Sequence, residues 1–441
     1  MRRPDTLRLS DLAECFARAV GGLPASLKGD GPVGIAVSGG GDSVALLLAA
    51  ATWSRVTGGE LVAITVDHGV RAGAAAEVAF VARLCHRLGM RHMVERWADP
   101  PIEINQASAR DERYRLLGHR LSQAGGRVLV TAHTEDDQAE TVLMRAAAGS
   151  TIVGLASMRT IAEVPVWPQG RGLTLLRPFL GLSRAELRRM LVSTGLDWCE
   201  DPSNANPNYD RVRLRQLIEL QPTLRSHGLQ LLRAAQRMRR HQDRCVLKLL
   251  DALDPRPGGV VAIDTADWRA APLSVRMRVL QAALAAVAGT DRLARRGSLS
   301  LFTEHLSAGD TRPSSLGGAL AWRRDGVILV ARDPGQVAKA VTLGHRGSTI
   351  WDGRFHICVN APGETLGFGV LDPERQLPTE TRALLRSLPV PARMSQLACH
   401  GRDGRLIGLP ALEPVDRVEL HDCVAERILH VRHLLGADLS V

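Results

Sequence analysis

Apolar residues in the first third of the chain follow two alternating rhythms. Short, nearly continuous runs rich in β-branched residues, Val33 to Ser38, Leu61 to Asp67, His92 to Trp97 and Val128 to His133, predict strands. Between them, near residues 42–56, 74–88, 105–124 and 135–147, apolar positions recur at helical spacing. Strands that are apolar on both faces and alternate with helices predict a parallel sheet covered on either side. A further strand is expected over Leu173 to Leu180, and Ser183-x-x-Glu186 then forms a capping box opening a helix to about Thr194. The fold class is therefore α/β, a doubly wound parallel sheet reaching roughly residue 215. In such sheets ligands bind beyond the strand C-terminal ends.

The pattern changes over residues 221–253, a long helical stretch carrying Arg225, Arg233, Arg237, Arg239, Arg240 and Arg244. Further helices are expected over 273–288 and 297–307. Gly318 to Ala331 and Val341 to Val359 then alternate as strands do, with Asp325-Gly326 and Asp352-Gly353 as hairpin turns. The expected organisation is a nucleotide-binding domain over 1–215, a mainly helical domain over 216–335 and a small α+β domain over 336–441.

A chain of 441 residues with 45% hydrophobic content can build about two to four domains. It shows no apolar run near the roughly 20 residues that span a bilayer. Met1-Arg2-Arg3-Pro4-Asp5 leads into an amphipathic stretch rather than a signal-peptide core, so a cytoplasmic protein without membrane contact is expected. The seven cysteines, Cys15, Cys85, Cys199, Cys245, Cys358, Cys399 and Cys423, are scattered and never in CxxC spacing, which argues against disulfides, structural zinc and cysteine-based sulfur transfer. The net charge of +10 comes almost wholly from arginine and suits a polyanionic partner. With 3% aromatic residues, recognition of nucleic acid would run through phosphate and shape more than through stacking.

Candidate chemistry gathers where the strands end. Ser38-Gly39-Gly40-Gly41-Asp42-Ser43 follows the first strand; its glycines let several N–H groups point at one spot, beside a helix N-terminus that favours anions. It is neither GxxxxGK[ST] nor GxGxxG, and a carboxylate beside a polyphosphate implies a bridging divalent cation such as Mg²⁺. Asp67-His68-Gly69 ends the second strand, at a place where nucleotide base or ribose is commonly met. His133 to Glu140 ends the fourth and packs one histidine and four carboxylates into eight residues. These acids either occupy a favourable helix first turn or, with Asp42, hold metal through Asp136 or Asp137. Arg110, Arg113 and Tyr114 share a helix face, as a surface salt-bridge face or as a source of charge for phosphate.

The Ser38–Ser43 loop is similar to the SGGxDS loop of the PP-loop ATP pyrophosphatase superfamily. With Asp67-His68-Gly69, the Ala109-Arg110…Arg113-Tyr114 helix, His133…Asp136-Asp137-Gln138…Glu140-Thr141, and Trp198…Glu200-Asp201-Pro202-Ser203-Asn204 followed by Tyr209, Arg211 and Arg215, the chain resembles the tRNA(Ile)-lysidine synthase family over about residues 31–215. Thr134 stands where that family often has a second histidine, and Val212 where it commonly has asparagine.

The resemblance implies an ATP-dependent ligase. ATP adenylates the C2 oxygen of wobble cytidine in tRNA-Ile(CAU), and the ε-amino group of free L-lysine then displaces AMP. It implies ATP and Mg²⁺ as cofactors, and a homodimer is compatible with it. Asp42, Arg113, His133 and Asp137 would be catalytic; Ser38, Gly39, Gly40, Gly41, Asp42, Ser43, Asp67 and His68 would bind nucleotide; Asp42, Asp136 and Asp137 would hold metal. Arg211, Arg215, Arg237, Arg239 and Arg240 would contact tRNA, the last three from the helical region.

Overall fold

The computed structural model describes residues 7–67, 73–98, 106–200, 210–291, 293–309, 311–372 and 377–428. They form two compact units, the first ending at Arg240 and the second beginning at His241.

In the first unit the β-branched runs become β1 (Val33–Ala36), β2 (Leu61–Asp67), β3 (Arg91–Arg96) and β4 (Val128–Val130), completed by β5 (Ile161–Glu163) and β6 (Thr174–Leu176). The sheet order is β3-β2-β1-β4-β6-β5, and every pairing is parallel except that of β5 with β6. The chain steps outward from β1 to β3, then returns to place β4 on the other side of β1. That reversal opens a crevice beyond the C-terminal ends of β1 and β4.

The helices are α1 (Leu9–Gly21), α2 (Ala25–Lys28), α3 (Gly41–Thr57), α4 (Ala74–Leu88), α5 (Gln106–Gln123), α6 (Glu135–Ala147), α7 (Ile152–Leu155), α8 (Arg184–Thr194), α9 (Asp210–Leu220) and α10 (Thr223–Asp251). Leu12 and Phe16 of α1, Leu46 and Leu47 of α3, and Leu187 and Leu191 of α8 share one core with Val33 and Ile35. Every residue of α3 from Ser43 to Ala51 is buried, as a helix apolar on all sides requires. On the opposite face Tyr114, Leu117 and Leu121 of α5 pack on Val62, Ile64 and Leu129. Each fully buried leucine contributes about 1.5–3 kcal/mol, so this packing is what fixes the crevice.

Three strands, β1, β4 and β6, end sooner than their apolar content suggests, β6 stopping at Leu176 rather than near Leu180. Val37 still donates to the Ile64 carbonyl at 3.0 Å and Thr131 to that of Leu176 at 3.0 Å, but beyond them the chain leaves the ladder to line the crevice. The three-residue β5 carries too little pattern to be legible in sequence.

The second unit opens with β7 (Asp254–Arg256), β8 (Val260–Asp264), α11 (Thr265–Ala270), α12 (Leu273–Ala288), α13 (Arg296–Ala308), β9 (Ser314–Leu316), β10 (Ala319–Arg324) and β11 (Val327–Arg332). The strands make an antiparallel sheet in the order β7-β8-β11-β10-β9, and α12 is buried against it. Asp325 and Gly326 join β10 to β11 with φ of 48° and 80°, the paired positive values of a two-residue hairpin. Next come β12 (Val341–Gly344), β13 (Ser348–Trp351), β14 (Phe355–Val359), β15 (Thr365–Val370), α14 (Thr379–Ser387), α15 (Val390–Met394), β16 (Leu397–His400), β17 (Leu406–Gly408) and β18 (Val418–Asp422). Sheets β12-β15-β16-β17 and β13-β14-β18 share a core of Trp351, Phe355, Ile357, Phe368 and Leu397. Among the described residues no helix is long and apolar enough to cross a membrane.

Candidate active site

The turn between β1 and α3 is tied by its own serines. Ser43 Oγ donates to the Gly40 carbonyl at 2.8 Å and accepts the Ser38 N–H at 3.2 Å. Gly39 has φ +89°, a conformation that residues with a Cβ rarely adopt. The Cys199 N–H donates to the Gly39 carbonyl at 2.9 Å, and a Cβ on Gly41 would come within 3.5 Å of Trp198, so the 198–199 segment covers the loop. Ser38, Gly40, Asp42 and Ser43 line a cavity of about 750 Å³ in the crevice.

The facing wall comes from the end of β4 and the start of α6. Thr131, Ala132, His133 and Asp137 line the same cavity, and His133 Nδ1 lies 2.9 Å from Thr131 Oγ1. Thr134 is the N-cap of α6: its N–H and hydroxyl both donate to Asp137 Oδ2 at 2.9 Å. Asp137 is thus a helix cap through one oxygen, as the first-turn reading expects, while its other oxygen faces Arg184 and the residue lines the cavity. Asp136 does not join it in the cavity. Its carboxylate accepts the Arg184 backbone N–H at 2.7 Å and Arg225 Nε at 2.9 Å, tethering α6 to α8 and α10.

Two organising residues had no role assigned from sequence: Arg184, and Glu140, which counted only as one of the four clustered carboxylates. Arg184 presents Nε to Asp42 Oδ2 at 3.2 Å, Nη2 to Asp137 Oδ1 at 3.2 Å and Nη1 to Glu140 Oε1 at 3.5 Å. Glu140, buried, also accepts Arg211 Nε at 2.8 Å and Arg215 Nε at 2.7 Å. Arg211 and Arg215 therefore stand in the cavity wall beside the candidate catalytic groups. Glu140 was legible in principle, because it lies three residues beyond Asp137 on the same face of α6. Arg184 carries no local signal beyond its place after the Ser183 cap.

A cationic wall completes the cavity. No carboxylate pairs with Arg113 among the described residues, Arg110 lies over the Tyr114 ring at 5.4 Å, and Tyr114 is hydrogen-bonded to buried Arg177. Burial lowers the pKa of Arg113, and Arg110 adds to the effect. Burial, with Arg177, Arg110 and Arg113, holds His133 well below its ordinary value in spite of Asp137, so its ring is uncharged at neutral pH. Burial raises Asp42, and the Asp137 charge adds to this against Arg184. At Asp137 burial pulls upward but is outweighed by Arg184, His133, the Thr134 N–H and Arg211, leaving it lowered. Asp42 and Asp137 thus offer hard oxygen donors beside an anion cradle, a set that fits Mg²⁺ completed by phosphate oxygens.

Other candidates lie elsewhere. Asp67 ends β2, pairs with Arg96 at 3.4 Å and does not line the cavity; His68 lies outside the described residues, as do Asp201 to Asn204 and Tyr209. On α10, Arg237 and Arg240 are exposed, whereas Arg239 is buried, on the side of the helix that carries Leu232 and Ala235.

The PP-loop domain family matches residues 12–222. The tRNA(Ile)-lysidine synthase of Hyphomonas neptunium is 40% identical over 325 residues, covering 73% of this chain and 87% of that protein. That of Zymomonas mobilis is 37% identical over 299 residues, covering 67% and 87%. That of Caulobacter vibrioides is 32% identical over 378 residues, 85% of each chain. Among solved structures, the U34-tRNA thiolase NcsA from Methanococcus maripaludis with its [4Fe–4S] cluster aligns with TM-score 0.41 and 16% identity, over 53% of this chain and 79% of that one.

Proposed function

The chain belongs to the tRNA(Ile)-lysidine synthase family of ATP-dependent ligases, and from that premise we propose that its crevice joins free L-lysine to C2 of the wobble cytidine, C34, of tRNA-Ile(CAU). The reaction runs in two displacements in the cytoplasm. The C2 oxygen of C34 attacks the α-phosphorus of ATP and pyrophosphate leaves. The lysine ε-nitrogen then bonds to C2, the C2–O bond breaks, AMP departs with that oxygen, and the amine loses a proton.

The observation that supports this reading is the convergence of Ser38–Ser43, Asp42, Arg113, His133 and Asp137 on one cavity. The loop amides and the N-terminus of α3 cradle the pyrophosphate portion. Asp42 and Asp137 would hold Mg²⁺, which when bound neutralises phosphate charge as a Lewis acid. Arg113, lacking a carboxylate partner among the described residues, directs its charge at the phosphate whose negative charge grows as pyrophosphate leaves. His133 serves as an uncharged hydrogen-bond partner. The target base must be splayed out of the anticodon loop. Arg211 and Arg215 in the cavity wall would steady its phosphates, and Arg237 and Arg240 would meet the tRNA body.

The test is incubation with Mg²⁺-ATP, labelled lysine and tRNA-Ile(CAU), scoring label that survives mild alkaline deacylation, beside a tRNA with C34 replaced. Label that depends on C34 and matches AMP release is expected. AMP release without label would move the second substrate, and the absence of both signals would overturn the reading.

A further inference from the structure

Asp42 and Asp137 of the cavity lining and the buried Glu140 share one guanidinium. Arg184 gives a separate nitrogen to each of Asp42, Asp137 and Glu140, at 3.2, 3.2 and 3.5 Å. Charge-assisted N–H···O bonds normally close to about 2.7–2.9 Å. Arg211 and Arg215 reach that range on Glu140, at 2.8 and 2.7 Å. The Arg184 fork is therefore stretched over three acceptors and optimal to none, the geometry of a displaceable partner.

The dependence is unequal. Glu140 keeps Arg211 and Arg215 without Arg184, and Asp137 keeps its Thr134 cap bonds. For Asp42, Arg184 is the cation paired with it among the described residues. The backbone of Arg184 is pinned, because its N–H donates to Asp136 Oδ2 at 2.7 Å and it follows the Ser183 cap at the first position of α8. Movement is therefore left to the side chain, which lines the cavity and can turn toward Glu140 or toward an incoming triphosphate. A cation shared by Asp42 and Asp137 would need the space between them that the guanidinium now fills.

We propose that Arg184 is a positioning residue that acts as the resident counter-ion of Asp42 and Asp137 in the nucleotide-free protein, excluding a divalent cation until ATP draws the guanidinium away. The inference rests on the proposed metal-holding role of Asp42 and Asp137. It makes metal binding conditional on nucleotide: without ATP the acids are already neutralised, and with ATP the phosphates supply Arg184 with a better partner.

The experiment measures Mn²⁺ binding to the full chain by the loss of the free-ion EPR signal, with and without a non-hydrolysable ATP analogue. Without nucleotide the unaltered protein binds Mn²⁺ weakly. Arg184→Gln, which removes the positive charge, binds it at least about tenfold more tightly, and Arg184→Lys, which keeps the charge, stays near the unaltered value. Equal Mn²⁺ affinity in Arg184→Gln and the unaltered protein, with far-UV circular dichroism intact, overturns the inference, as does a lysine variant as tight as the glutamine one. Asp42→Asn separates this failure from that of the underlying reading. If the analogue-dependent Mn²⁺ signal survives Asp42→Asn, the metal assignment itself is wrong; if that signal is lost while Arg184→Gln changes nothing, only the counter-ion role falls.

Discussion

Arg215 of α9 grips Glu140 of α6 with two nitrogens, Nε at 2.7 Å from Oε1 and Nη2 at 3.2 Å from Oε2. Arg211 joins the same carboxylate at 2.8 Å, so one buried acid docks α9 against the wall of the cavity. Removing the buried member of such a cluster leaves Arg184, Arg211 and Arg215 facing one another with Asp137 as their remaining shared partner. Glu140→Ala should lower the urea midpoint by an amount corresponding to about 3 kcal/mol and reduce lysidine formation with it. An unchanged midpoint would show that α9 is held by other contacts.

Asp42 illustrates a conflict between stability and chemistry. Burial raises its folded-state pKa above the unfolded value, so at neutral pH the unfolded chain ionises this group more readily than the native one does. The stability associated with the protonated form is fully present below about pH 3.9, the unfolded value, and is lost as pH rises through the folded pKa. Asp42→Asn should therefore raise the melting temperature at pH 7, with the gain vanishing in acid. The same variant should form no AMP and still bind tRNA. A lower melting temperature at pH 7 would mean that the bond to Arg184 outweighs the burial.

His133 behaves in the opposite sense in acid. Its folded-state pKa is lowered by burial and by Arg177, so the unfolded chain takes up a proton below about pH 6.5 that the native site refuses. Native stability should fall as pH drops from that point toward the folded pKa, and His133→Asn should remove this part of the acid sensitivity. In the intact protein the imidazole ¹⁵N shifts should report a neutral ring throughout the range from pH 6 to 8. A protonated ring at pH 6 would contradict the uncharged role.

Arg113 has no carboxylate partner among the described residues, and that availability is its function in the proposed chemistry. Arg113→Gln should lower the rate of AMP release by about a hundredfold or more while changing ATP affinity much less. The charge it answers grows as the bond to pyrophosphate breaks. Equal losses in affinity and rate would make it a ground-state contact instead.

What the sequence made legible follows from how local each signal is. Helices α3, α4, α6 and α12 stand within a residue of their expected bounds because apolar period, caps and trailing glycines act within a few positions. The Ser38–Ser43 loop was legible for the same reason. Asp137 could be singled out but not distinguished from Asp136, because their difference depends on Arg184 and Arg225, which lie 47 and 89 residues downstream respectively. Arg184 itself was invisible, since an arginine after a serine cap reads as an ordinary helix start until the sheet order brings α8 beside α3. Burial of Arg239 was likewise hidden in a helix where nearly every turn carries arginine.

That last point makes the tRNA contacts separable. Arg237 and Arg240 are exposed on α10, while Arg239 between them is buried. An exposed arginine that meets a phosphate releases counterions, so each contact adds about one unit to the slope of log affinity against log salt. Replacing Arg237 and Arg240 together by alanine should weaken tRNA binding, flatten that slope by about two units and leave ATP binding unchanged. Arg239→Ala should leave the slope as it is and lower the melting temperature, because its aliphatic stem contributes packing rather than exposed charge. If the slope answers to Arg239 and not to its neighbours, tRNA must approach from the inner face of the helix, and α10 would have to move away from α6 to admit it.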